Sequence, residues 1–147
     1  MRNKRLTFCE EMKMNRSLAR ENAFILLFEA ECRSDETALE IFDNAKEFGD
    51  FEIDEYVKNV FFGVFERRKE IDELVEASLV GWKKNRISPV SRALLALSTY
   101  EMLALTDVPA KVSINEAIEL SKKYDEDKSY VFVNGVLNKV AELLGRK

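Results

Sequence analysis

Residues 90–105, VSRALLALSTYEMLAL, constrain this chain more than any other stretch. Ser88 and Pro89 precede them as a cap and a first-turn proline, which starts a helix. The helix that follows is apolar almost all round. Such a helix cannot lie on a surface and has to be covered by other elements on every side. Glu101 falls on its Leu94–Leu97–Leu105 side, and a carboxylate there needs a partner. Arg86, one turn-back ahead of the helix, is the expected partner, in a structural rather than a catalytic pair.

The covering elements read as helices. A first helix is expected from about Asn15 to Arg33, with Ala19, Ala23, Leu26, Leu27 and Ala30 on one stripe and Leu18 and Ile25 opposite, so that it is covered on more than one side. A second runs from Ser34 or Asp35 to about Glu47 and stops at Gly49. Asp54 caps a third, which packs Tyr56, Val57, Val60, Phe61, Val64 and Phe65. Gly63 inside it costs about 1 kcal/mol against alanine and predicts a close neighbour. Ile71, Leu74, Val75 and Leu79 mark a fourth helix ending near Trp82. After Pro109, Ser113 and Glu116 have the spacing of a capping box for a sixth helix carrying Ile114, Ala117, Ile118 and Ser121. Val133, Val136, Leu137, Val140 and Leu144 form the stripe of a seventh, and Gly145 stops it. No strand pattern is visible, so the expectation is an all-α bundle around a buried fifth helix.

The 147 residues suit one domain, and a chain of this size buries enough surface to need no staples. No apolar run approaches the length of a membrane span, and no apolar segment follows the basic N-terminus as a secretion signal would require. Histidine is absent, and Cys9 and Cys32 form no CxxC, which argues against zinc and removes the commonest general base. Both cysteines read as reduced thiols of a cytoplasmic protein. There is no phosphate-binding glycine loop and no nucleophile elbow. The expectation is no catalytic residue, no metal and no cofactor.

Net charge is −4, yet Arg2, Lys4, Arg5, Lys13, Arg16 and Arg20 face only Glu10 and Glu11 in the first twenty residues. A basic head on an acidic body fits one polyanionic and one basic partner, although acidic helices also serve solubility alone. Arg16 and Arg20 share a face in the first turns of the first helix, where free N–H groups attract phosphate. The alternative for Arg20 is a pair with a carboxylate at the core edge. In the last helix Lys128, Phe132, Gly135 and Lys139 share one side, beside the apolar stripe. A base can stack on the ring, the lysines can hold its phosphates, and glycine admits a close backbone. Spacing alone favours a ring at the core edge with two solvated lysines, because core edges are far commoner than nucleic-acid sites.

DVPAKVSINEAIELSKKY followed by FVNGVLNKV resembles the C-terminal signature of the NusB transcription antitermination factors. LARENAFILLFE looks like that family's first helix, and WKKNRISPVSRALLALSTYEML, with Trp82, Arg86, Tyr100 and Glu101, like its central segment. The resemblance runs from about Met14 to the C-terminus. Residues 1–13 lie outside it and are expected to be a disordered basic extension, read from an upstream start codon. The resemblance implies a helical bundle of about seven helices in two small subdomains around the fifth. It also implies a non-enzymatic, cytoplasmic factor that pairs with NusE, the small-subunit ribosomal protein also known as S-ten. Together they would bind the boxA element of nascent ribosomal RNA leaders and join the RNA polymerase antitermination complex. It leaves a monomer or a weak homodimer open. Arg16 and Arg20 are then expected on phosphates, Phe132 stacking on a base, and Lys128 and Lys139 on the RNA backbone. The family often has an acidic residue where Lys128 stands, and an arginine where Ala96 stands. Asn115 and Asn134 sit in the strongest motifs and serve either caps and packing or contacts. Two alternatives are a helical protein-interaction module that does not touch RNA, and a stand-alone RNA-binding domain like that of the ribosomal RNA cytosine methyltransferases.

Overall fold

The computed structural model describes residues 4–49, 53–82 and 87–146, with side chains from Arg16 onward. Seven helices follow one another among them: α1 (Lys4–Cys32), α2 (Ala38–Phe48), α3 (Glu55–Glu66), α4 (Arg68–Ala77), α5 (Pro89–Ala104), α6 (Ala110–Tyr124) and α7 (Ser129–Leu143). No strand occurs among the described residues. α1 is traced from Lys4, upstream of the start at Asn15. Residues 1–3 and the side chains of residues 4–15 lie outside the described residues, and with them the charged groups of the extension expected over residues 1–13.

The core is built on α5, as its all-round apolar character requires. Ala93, Leu94, Leu95, Ala96, Leu97, Ser98, Thr99, Glu101 and Met102 are all buried. α5 packs against α1, α3, α4, α6 and α7. α2 is held through α1 and through Phe42, which packs on Phe61 and Phe62 of α3. Phe24, Leu26, Phe61, Ile71, Val133, Val136 and Leu137 fill the space between. Leu18 is an exception to the expected double covering of α1, since it is 53% exposed.

Local chemistry sets the helix ends. Thr37 caps α2 through a full capping box with Glu40, later in the chain than the Ser34–Asp35 start. Asp54 accepts the Val57 N–H at 2.9 Å and starts α3, and Ser88 accepts the Ser91 N–H at 3.0 Å and starts α5. Gly63 sits against Tyr100: a Cβ there would lie 2.3 Å from the tyrosine hydroxyl. α4 ends at Ala77, short of Trp82. α6 begins at Ala110 behind Pro109, so the Ser113–Glu116 capping box does not form. Ser113 is instead buried inside the helix, where its hydroxyl serves Glu101, and Glu116 turns towards α1. Proline at the helix entrance already supplies the start that the capping box would have supplied.

Candidate nucleic-acid interface

Glu101 has a partner among the described residues. Arg86, the partner expected from the sequence, lies outside them, and a guanidinium that meets Glu101 is that of Arg20. Arg20 Nε donates to Glu101 Oε2 at 2.8 Å, with both side chains almost fully buried. Tyr56 Oη donates to the same oxygen at 2.8 Å, and Ser113 Oγ donates to Oε1 at 2.9 Å. Arg20 Nη1 also reaches Glu116 at 3.3 Å, and Ser17 donates to that carboxylate at 2.7 Å. Burial opposes the charge on Arg20, but the Glu101 carboxylate more than restores it, so the guanidinium pKa ends above its ordinary value. Burial, and after it the Glu101 charge, also raise the Tyr56 hydroxyl and keep it a donor.

This corrects the expected role of Arg20. A buried guanidinium held by two carboxylates is not on offer to a phosphate. Its neighbour one turn earlier is exposed: Arg16 lies over the Tyr56 ring with its guanidinium carbon 4.7 Å from the centroid. Tyr56 thus links a surface cation to the buried carboxylate.

The aromatic part of the site is at the other end of α5. Phe132 is half-buried and meets Trp82 edge to face, with centroids 4.9 Å apart and an interplanar angle of 75°. Both rings line an open cavity of about 490 Å³ beside the N-terminal ends of α5 and α7. Asp125 ties its floor together, accepting from Ser88 at 2.7 Å and Ser91 at 3.0 Å. Ser91 and Glu101 stand about 15 Å apart along α5 at 1.5 Å per residue. Arg16 and Phe132 therefore belong to two separate clusters rather than one continuous patch.

Lys128 is exposed just ahead of α7 with φ at 75°, a left-handed conformation that a residue with a side chain seldom adopts. Lys139 is half-buried one face along, 3.7 Å from Glu142. Between them Gly135 is exposed in mid-helix, and a Cβ there would meet nothing within 4 Å. Three contributors escaped the sequence reading. Trp82 is 43% exposed beside Phe132, and Lys122 lies over the exposed Tyr130 ring at 4.9 Å. Neither pairing lies within one helix, since Trp82 is in the turn after α4 and Lys122 and Tyr130 are on α6 and α7, so no helical spacing announces it. Among the described residues no group of acidic or cysteine side chains is placed to hold a metal, and no helix is long and apolar enough to cross a membrane.

Residues 17–142 match the NusB family. A transcription antitermination protein NusB of Clostridium perfringens is 49% identical over 131 residues, spanning 86% of this chain and 96% of the relative. The structure of T. maritima NusB superposes with a TM-score of 0.75 at 35% identity, over 86% of this chain and 90% of that one. A crystal structure of the antitermination factors NusB and NusE in complex with dsRNA gives a TM-score of 0.77 at 28% identity, over 87% and 96%.

Proposed function

Because the chain belongs to the NusB family, we propose that it is a transcription antitermination factor, and that it works by binding RNA and NusE rather than by catalysis. Its RNA is the boxA element of ribosomal RNA leaders, read as a single strand together with NusE in the cytoplasm. The complex then acts on elongating RNA polymerase. A solved relative in this fold is NusB with NusE in complex with dsRNA, which supports the pairing with NusE and RNA.

One observation in the chain itself carries the RNA reading. Gly135 weakens α7 by about 1 kcal/mol relative to alanine. Gly63 has a packing reason for its missing side chain, whereas Gly135 has none, because its Cβ position is open. The exposed glycine stands between the Phe132 flank and the crest of α7, with Lys139 on the Phe132 side and Lys128 just ahead of the helix. This is a bare place where a strand can press against the helix while a base stacks on Phe132 or Trp82 and the lysines hold phosphates. Arg16 supplies a second, separate phosphate contact.

The test is a titration of a boxA-like single strand, its scrambled version and its duplex, with and without NusE, across salt. Affinity for the boxA strand exceeds the others and falls steeply as salt rises. Phe132→Ala costs about 1–3 kcal/mol of RNA affinity if the ring stacks on a base. Equal affinity for scrambled RNA, with and without NusE, sinks the reading. A Phe132→Ala protein that melts earlier and binds RNA as before returns the ring to the core.

A further inference from the structure

Lysines on phosphates hold an RNA without reading its sequence, so the reading of bases has to come from other side chains. We propose that the groove between α6 and α7 is where this chain reads base edges, through the carboxamides of Asn115, Asn134 and Asn138. This rests on the RNA reading above and assigns its specificity to a flank of α7 not used there.

The groove has a volume of about 430 Å³, with Ala110, Ile114 and Ala141 as its apolar part and the three asparagines as its polar part. Lys111 and Arg146 complete the lining. No carboxylate takes part. Three other surface cavities are each lined by at least two acidic side chains: Glu31, Asp72 and Glu76 in one, Glu29 and Glu36 in the next, Asp125 and Glu126 in the third. In a chain with 27 acidic and 23 basic residues, a groove with two cations and no anion is a place prepared for a polyanion. Arg146 is fixed there, because its guanidinium donates to the carbonyls of Met102, Thr106 and Val108.

The hydrogen-bonding capacity is left open. Asn138 Nδ2 donates to both the main-chain oxygen and Oδ1 of Asn134, each at 2.8 Å. That arrangement leaves Asn138 Oδ1 as an acceptor and Asn134 Nδ2 as a donor, neither taken by another described residue. The carboxamide of Asn115 is exposed and makes no hydrogen bond among the described residues. A carboxamide pairs in bidentate fashion with an edge that carries an amino group beside a ring nitrogen, and adenine is the usual match. The small apolar side chains leave a shallow surface on which a base can lie. Asn134 and Asn138 are on one flank of α7 and Phe132 is on the other, with Gly135 near the crest between them. A strand stacked on Phe132 reaches the groove by crossing the helix where it is bare.

The experiment measures RNA affinity for a boxA-like strand and for a panel in which each base is replaced in turn. Wild type, Asn115→Ala, Asn134→Ala, Asn138→Ala, Lys139→Ala and Phe132→Ala are compared, with melting temperatures recorded for all. For wild type, replacing one or two adenines costs about 10-fold in affinity, the scale of one bidentate pair. The asparagine variants lose that discrimination and keep the salt slope, whereas Lys139→Ala lowers the salt slope and keeps the discrimination. The inference is overturned if the asparagine variants rank the panel as wild type does, or if they lose NusE affinity alone, which would make the groove a peptide site. A uniform loss of RNA affinity with a lowered melting temperature also overturns it, as that marks the carboxamides as packing. If wild type binds no strand of the panel, the RNA reading itself has failed, and this inference falls with it.

Discussion

Removing Arg20 separates its two possible roles. Arg20→Ala leaves Glu101 buried with only Tyr56 and Ser113 as donors. Breaking a buried pair in this way costs about 3–5 kcal/mol of stability. Denaturant unfolding should show a midpoint far below wild type, whereas a surface phosphate contact would have lowered RNA affinity alone. Lys128 makes the opposite case. Its left-handed backbone is relieved by Lys128→Gly, which should raise stability by about 1 kcal/mol. The same change removes a cation, and if Lys128 faces RNA the salt slope of binding drops by about one. A stability gain with an unchanged salt slope would place Lys128 outside the interface. These two residues also show where the sequence falls silent. Arg16 and Arg20 are one helical turn apart, chemically identical, and end in opposite environments. Only the position of Glu101 across the core decides which of them is buried.

α7 is the element whose sequence and geometry agree best. Its apolar stripe, Val133, Val136, Leu137 and Val140, is fully buried as its periodicity requires, and Gly145 takes the positive φ of a helix stop. Gly135→Ala should therefore stabilise the fold by about 0.5–1 kcal/mol, since the new methyl meets nothing. It should at the same time weaken RNA binding, because the strand loses its close approach. A thermal melt and a titration on the same sample check both signs, and a stabilised variant with intact affinity would leave this glycine without a use. α6 was read less well. Its capping box has the right residues at the right spacing, but Pro109 starts the helix earlier and Ser113 is drawn into the core by Glu101. A capping signal is local, and here a tertiary hydrogen bond outcompetes it. Trp82 on Phe132 and Lys122 on Tyr130 were illegible for a related reason: neither pair shares a helix.

At the scale of the whole molecule, α1 and α6 are clasped by the meeting of Glu21 with Lys123 and Tyr124. Partial burial opposes the Glu21 charge, but the two donors outweigh it and hold its pKa below the usual carboxylate value. A carboxylate with a lowered folded pKa stabilises the fold above its unfolded pKa, and that contribution is lost as pH falls through the folded value. Lys123 and Tyr124 are both raised, mainly by their hydrogen bonds to Glu21, so their share is lost instead on the alkaline side. Glu21→Gln should flatten the fall of the unfolding midpoint between neutral pH and the acid range. A variant as acid-sensitive as wild type would show that the clasp contributes nothing. The bundle as a whole was legible because an all-round apolar α5 leaves few other arrangements. The separation of Arg16 from Phe132 was not, since it depends on which end of α5 each neighbouring helix meets. Glu101 imposes a further condition on how the chain comes to be made. Its three donors arise from residues 20, 56 and 113, so a growing polypeptide emerging from the ribosome cannot satisfy it until α6 has cleared the exit. Any product cut short between Glu101 and Ser113 keeps a carboxylate at its centre that lacks one of its three donors, which leaves it more open to proteases than the finished chain.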